Sequence, residues 1–248
     1  MTKIIFIILV ACLSWFPTAY AQDYKIISTT PLTTKPFIEG LAVDGDLVYI
    51  SSGFTGFSYI MAVNKYTGDL VYSHNLPKSY FGEGIAILGD KIYQLTYKSN
   101  VVLIYDKRLK KIGQFKLNFE GWGMTSDGRR LVMTNGTNKL YFLSPKTHKI
   151  EEVLNVEENG KPAQYKLNDI AFHKGIFYMN AFQKNIILMA RKRGTAHIFK
   201  TLNFDVIAKK EKKGLPSECV MNGVAFDNDN LIIGGKCWDE FFVLRYCA

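Results

Sequence analysis

Apolar and polar residues alternate along most of the chain in runs of strand length, closed by tight polar turns, and no stretch carries a long helical period. One unit recurs five times. FIEGLAVDGDLVYISSG begins at Phe37, FGEGIAILGDKIYQLTY at Phe81, EGWGMTSDGRRLVMTNG at Glu120, LNDIAFHKGIFYMNAF at Leu167 and MNGVAFDNDNLIIGGKCW at Met221. Each reads as an apolar strand, a turn (DGD, LGD, SDG, HKG, DND) and a return strand. The starts lie roughly 40 to 55 residues apart, the length of one propeller blade. Between the units lie further hairpins, such as YIMAVNKYTGDLVYSHNL and VVLIYDKRLKKIGQFKL. The pattern predicts an all-β fold: a five-bladed β-propeller, mostly four antiparallel strands per blade, around a central channel. YKIIST, at 24–29, is placed to supply an outer strand that closes the last blade.

The first strand of each propeller blade lines the channel, so equivalent first-strand positions form a ring. Aligned on those strands, the ring holds Glu39, Glu83, Trp122, Asn168 and Asn222. Glu83 is the conspicuous member, a carboxylate between two glycines just before an apolar strand. The second strands end at Gly53, Tyr97, Phe182 and Lys236, with Trp238 just beyond; these are expected near the same mouth, adding aromatic walls and one cation. A pocket with a few convergent polar groups reads as a binding site. The bland alternative is a polar channel that holds water. Asn222 is expected to bond backbone between blades. Lys236 suits either an oxyanion or a salt bridge to Glu39.

Composition narrows the classes. With 248 residues, 48% of them hydrophobic, the chain is globular. Its formal net charge is +9, much of it in Arg191-Lys192-Arg193 and around Lys209-Lys210-Glu211-Lys212-Lys213. Both runs read as solvated loops, and neither contains the aromatics that would point to nucleic acid. Histidines 74, 148, 173 and 197 are scattered without ligand spacing and read as surface or turn residues. FGEG is not a phosphate loop, since no helix follows. The N-terminus has Lys3, an apolar run from Ile4 to Phe16 too short to span a membrane, and Ala19-Tyr20-Ala21. It predicts a secretory signal peptide, residues 1–21, cut after Ala21, and one propeller domain over 22–248. The mature chain is then secreted or periplasmic and has no membrane span. A lipoprotein anchored at Cys12, from Leu9-Val10-Ala11-Cys12, ranks second. Three cysteines remain; Cys219 and Cys237 flank a predicted hairpin, which favours that pair, while the connectivity stays open.

The motifs FIEGL, SSGFTGFS, YFGEGIAILGDKIYQLTYK, FEGWGMTSDG, TNGT, LNDIAF, MNGVAFD and GGKCW occur here in that order, from about Phe37 to Leu244. In this they resemble the plant and bacterial type of glutaminyl-peptide cyclotransferase, or glutaminyl cyclase, a five-bladed propeller family. The resemblance implies conversion of N-terminal glutamine in peptides or proteins to pyroglutamate with release of ammonia. It implies no metal and no cofactor; the metal-dependent animal enzymes have a different fold, which this chain does not resemble. Glu83, Glu39, Lys236 and Asn168 are the implied catalytic residues, with Glu83 shuttling the proton. Phe37, Phe81, Tyr97, Trp122 and Phe182 are the implied substrate walls. The family usually has Trp at the positions of Tyr97 and Phe182, and Glu at those of Asp169 and Ala171. TNGT carries Asn135 where the family has Asp; Asn135-Gly136-Thr137 is also a formal glycosylation sequon. A monomer is expected. Two rivals stand beside this reading. One is a calcium-dependent lactonase-like propeller using Glu39, Glu83, Asn168 and Asn222. The other is a non-catalytic peptide-binding propeller.

Overall fold

The structure, a computed structural model, describes residues 23–246. The signal segment with Cys12, as well as Gln22 and Cys247, lies outside them. Five blades follow one another along the chain. The first comprises Ile38–Asp44, Leu47–Ser52, Tyr59–Asn64 and Leu70–Asn75; the second comprises Gly82–Leu88, Lys91–Thr96, Val101–Tyr105 and Lys111–Lys116. The third comprises Met124–Ser126, Leu131–Met133, Lys139–Leu143 and Ile150–Glu158; the fourth comprises Leu167–His173, Ile176–Ala181, Ile186–Arg193 and Thr195–Asn203. The fifth takes Met221–Asp227, Asn230–Gly235 and Glu240–Tyr246. Its outer strand is Tyr24–Pro31, antiparallel to Glu240–Tyr246. The N-terminal strand therefore closes the ring, as YKIIST suggests. Tyr24 anchors it in the core against Phe204, ring centroids 4.8 Å apart.

Each strand face that alternates apolar residues packs on the next blade. The buried core accordingly falls into clusters between successive blades: Leu41, Ile50 and Met61 of the first meet Ala225, Ile232 and Phe241 of the fifth, and so on around. The first strands are neighbours in cyclic order and enclose the channel.

What aims side chains into that channel is a bulge repeated at the start of the first strands. The register against the second strand shifts between Ile38 and Gly40, Gly82 and Ile85, Leu167 and Ile170, and Met221 and Val224. In the third blade Trp122 and Gly123 together oppose Thr134, through Trp122 N–H to Thr134 O (2.9 Å) and Thr134 N–H to Gly123 O (3.0 Å). A bulge places an extra residue on one strand and re-aims its side chain. Here the re-aimed residues are the five ring members. Four of them are followed by glycine: at Gly40, Gly84 and Gly123 the backbones touch, and Gly223 has a φ of 97° and packs on Ile38 and Leu41. A Cβ on Gly40 would lie 2.8 Å from the Gly84 Cα, and one on Gly84 would lie 2.6 Å from the Gly123 Cα. This is the physical reason for the glycine after Glu83.

Three features depart from the sequence reading. Ile150–Glu158 of the third blade pairs in parallel with Thr195–Asn203 of the fourth, joining the two blades into one sheet. Arg191-Lys192-Arg193 ends a strand instead of forming a loop: Lys192 pairs with Glu152, and the Arg191 guanidinium lies 4.6 Å over the Phe199 ring. The second basic run begins on a helix, Asp205–Glu211, whose Ile207 and Ala208 are buried.

Candidate active site

The ring members converge on one mouth of the channel. A cavity of about 420 Å³ is lined by Phe37, Glu39, Phe81, Glu83, Tyr97, Trp122, Lys166, Asn168, Phe182 and Lys236. All nine sequence-predicted site residues therefore meet in one pocket. The backbone explains why. The N–H groups of Gly53, Tyr97, Phe182 and Lys236 donate to the carbonyls of Phe37, Phe81, Lys166 and Val220 at 2.8–2.9 Å. Each acceptor stands two residues before a ring member, so the second-strand ends and these residues form an outer tier in four of the five blades.

Two residues at this level of the alignment, Lys166 and Glu120, are not among the sequence-predicted site residues. Their signal is the alignment itself, because both stand where Phe37 and Phe81 stand. Lys166 lines the pocket, and Glu120 accepts the Trp122 indole N–H at 2.6 Å. Glycine at the strand end makes room for rings. A Cβ on Gly53 would lie 2.3 Å from Phe81, and one on Gly136 would lie 2.7 Å from Trp122. Phe182 stands edge-on to Trp122 with centroids 5.4 Å apart, and Tyr97 is 5.9 Å from Phe81. Trp238 is a correction. It is fully buried in the core and packs on Phe242, not on the mouth. Cys237, with φ of 64°, turns the chain inward after Lys236. Cys219 and Cys237 form a disulfide, which ties Lys236 to the strand entering the ring.

Polar bonds run around the ring in one direction. Asn168 Nδ2 donates to Asn222 Oδ1 (3.1 Å), Asn222 Nδ2 to Glu39 Oε2 (2.9 Å), and Lys236 Nζ to Glu39 Oε1 (2.7 Å). Asn222 Nδ2 also reaches the Ile38 carbonyl across the blade junction (3.1 Å), the backbone bond expected of it. Facing two acceptors, Asn222 must turn its oxygen toward Asn168, leaving Asn168 one N–H for the pocket. Lys236 likewise keeps donors to spare and sits 4.6 Å over the Phe37 ring. The salt bridge to Glu39 thus coexists with a pocket-facing ammonium. A divalent cation would have to displace Lys236 from that carboxylate.

The two carboxyls differ in kind. Both oxygens of Glu39 are bonded, yet burial still lifts its pKa to about 7 against the pull of Lys236 and Asn222. Glu83 is raised well above the usual carboxylate range, first by burial and then by the Glu39 charge, against the pull of Lys236, and it accepts no hydrogen bond among the described residues. Two carboxyls in one desolvated site separate in this way, and the less well-supported one has the higher proton affinity. Beneath the ring, Asp169 takes the place that glycine has in the other four blades. It is fully buried, accepts the Val224 N–H at 2.8 Å and is pushed up by burial, so it ties the fourth blade to the fifth.

Comparison with known proteins agrees with this geometry. The glutamine cyclotransferase family model matches residues 6–246. The glutaminyl-peptide cyclotransferase of Arabidopsis thaliana is 28% identical over 229 residues, 90% of this chain and 71% of that one. The crystal structure of Myxococcus xanthus glutaminyl cyclase superposes with a TM-score of 0.82 at 22% identity, covering 90% of this chain and 95% of that chain. The WD40 propeller domain of Doa1 shares the propeller architecture at a TM-score of 0.51 and 9% identity, over 84% of this chain and 63% of that one. On the family match, which spans nearly all of its length, the chain belongs to the glutamine cyclotransferase family.

Proposed function

We propose that this protein converts N-terminal glutamine of peptides and proteins to pyroglutamate, with Glu83 carrying the proton. The observation that carries the proposal is the contrast between a bonded Glu39 and an unbonded, desolvated Glu83 in the same aromatic pocket. Cyclisation needs a group that accepts a proton and then returns it. The substrate α-ammonium, of ordinary pKa about 7.7–8, first gives a proton to the Glu83 carboxylate. The freed amine attacks the side-chain carboxamide carbon, forming the ring C–N bond and placing negative charge on the carboxamide oxygen. Glu83 returns its proton to the departing NH2 and takes one from the ring nitrogen. Collapse of the adduct breaks the old C–N bond and releases ammonia, which takes the proton from Glu83 and leaves as ammonium, restoring the carboxylate. A carboxyl whose pKa is raised toward that of the amine lowers the energy difference between the two ends of this transfer.

Lys236 and Asn168 have N–H donors left for the oxyanion, and the Glu39 pair holds Lys236 at the mouth. Phe37, Phe81, Tyr97, Trp122 and Phe182 enclose the glutamine stem and exclude water, which favours ring closure over hydrolysis. Tyr97 and Phe182 in place of Trp keep aromatic walls on both sides. No step in this route calls on a metal. The same proposal includes export: Ala19-Tyr20-Ala21 and the Cys219–Cys237 disulfide both support an oxidising compartment. An ammonia-coupled assay on a glutaminyl dipeptide tests the reaction, run with and without excess chelator. Release that persists in chelator is expected. Release abolished by chelator would support the metal-dependent rival, and no release at all would support a binding propeller.

A further inference from the structure

A second cavity, of about 340 Å³, opens beside the catalytic pocket. Phe81 and Tyr97 line both, so the second cavity is a groove that shares this pair of rings with the catalytic pocket as a common wall. The second-blade rim of the groove carries Lys78, Tyr80 and Lys98, and Thr55 of the first blade faces them. Thr55 lies on a ledge between Phe54 and Phe57. These rings continue outward from Phe37 in steps of 6.4 Å, and Phe57 is 73% exposed.

A polypeptide whose first residue sits in the catalytic pocket must leave by the mouth, at about 3.3 Å per residue when extended. The groove offers a path that begins at two of the pocket's own walls. Its charge is one-sided. Lys98 Nζ lies 5.4 Å over the Tyr97 ring, and neither Lys78 nor Lys98 forms an ion pair among the described residues. Two unpaired ammonium groups beside a substrate exit favour carboxylates in whatever passes. We infer that this groove binds the residues that follow the N-terminal glutamine and selects polypeptides with acidic side chains at the second and third positions. The inference rests on the proposed cyclase activity.

The test compares three tripeptide amides, Gln-Asp-Asp, Gln-Ala-Ala and Gln-Lys-Lys, by ammonia release at low and high salt. Wild-type kcat/KM should fall from the acidic to the basic peptide by about five- to tenfold, the span of two exposed charge contacts. High salt should narrow the span. The double variant Lys78→Glu/Lys98→Glu should reverse the order. Equal kcat/KM for the three peptides, or an order the double variant leaves unchanged, would overturn the groove while leaving the cyclase reading intact. No ammonia from any peptide would overturn both.

Discussion

Replacing Glu83 by Gln should stabilise the protein at pH 8 while removing its turnover. The substitution keeps the shape and deletes the charge. In the folded chain, burial and the neighbouring Glu39 charge raise the Glu83 pKa well above its ordinary value of 4.5. The folded state therefore binds more protons than the unfolded state between about pH 4.5 and the folded pKa. Stability from this group is fully present below about pH 4.5 and is lost as pH rises through the folded pKa. Each tenfold gain in proton affinity is worth about 1.4 kcal/mol. For a protein of this size that corresponds to about 3–6 °C in Tm. Glu39 and Asp169 are raised by burial as well and slope the same way. Calorimetric Tm values from pH 4 to pH 9 should thus show the variant matching wild type at the acid end and exceeding it progressively toward pH 8. Turnover should drop by about 10² to 10⁴, the range for a lost acid–base group. Parallel Tm curves at every pH would show that Glu83 is not the desolvated carboxyl described here, and the reasoning about its proton would fall with it.

Three other perturbations give distinct signatures. Lys236→Met should lower kcat by about 10² to 10³ with a smaller change in KM, because an oxyanion contact strengthens only in the transition state; an effect confined to KM would make Lys236 a binding residue. Cys219→Ser opens a loop of sequence separation 18. It should cost about 3 kcal/mol, measured by denaturant unfolding, and lower kcat through Lys236, since Cys237 adjoins it; unchanged kcat would show that Lys236 is held without the disulfide. Gly84→Ala places a Cβ 2.6 Å from the backbone of Gly123, Met124 and Trp122. It should destabilise by at least about 2 kcal/mol in the same unfolding assay, whereas Gly89→Ala, in an open turn, should destabilise less through its φ of 63°.

The repeat was legible because five blades impose one period on one chain. That period alone aligns Glu39, Glu83, Trp122, Asn168 and Asn222; the structure brings the first four to one pocket and bonds buried Asn222 to Asn168 and Glu39. The reason for the alignment was not legible. The bulges and the backbone contact at Gly40, Gly84 and Gly123 involve partners far apart in sequence. Lys166 and Glu120 were within reach of the same alignment, read two residues earlier. Trp238 was misplaced because a positive φ at Cys237 reverses the chain, and no alternation pattern records a single dihedral. The helix at Asp205–Glu211 is seven residues long, too short to establish a helical period. The parallel seam between the third and fourth blades joins strands whose own hairpins look ordinary.

The central claim is that an N-terminal glutamine enters the ring, loses ammonia and leaves as a lactam through the proton carried by Glu83. Mass spectrometry of a Gln-Ala-Ala peptide amide incubated with enzyme tests it most directly. Wild type should shift the peptide by about −17 Da, the mass of the ammonia released in the reaction, at a rate far above spontaneous cyclisation. The folded Glu83→Gln variant, at the same concentration, should leave the mass at the spontaneous rate. An unshifted peptide with wild type, or equal rates for the two proteins, would contradict the account.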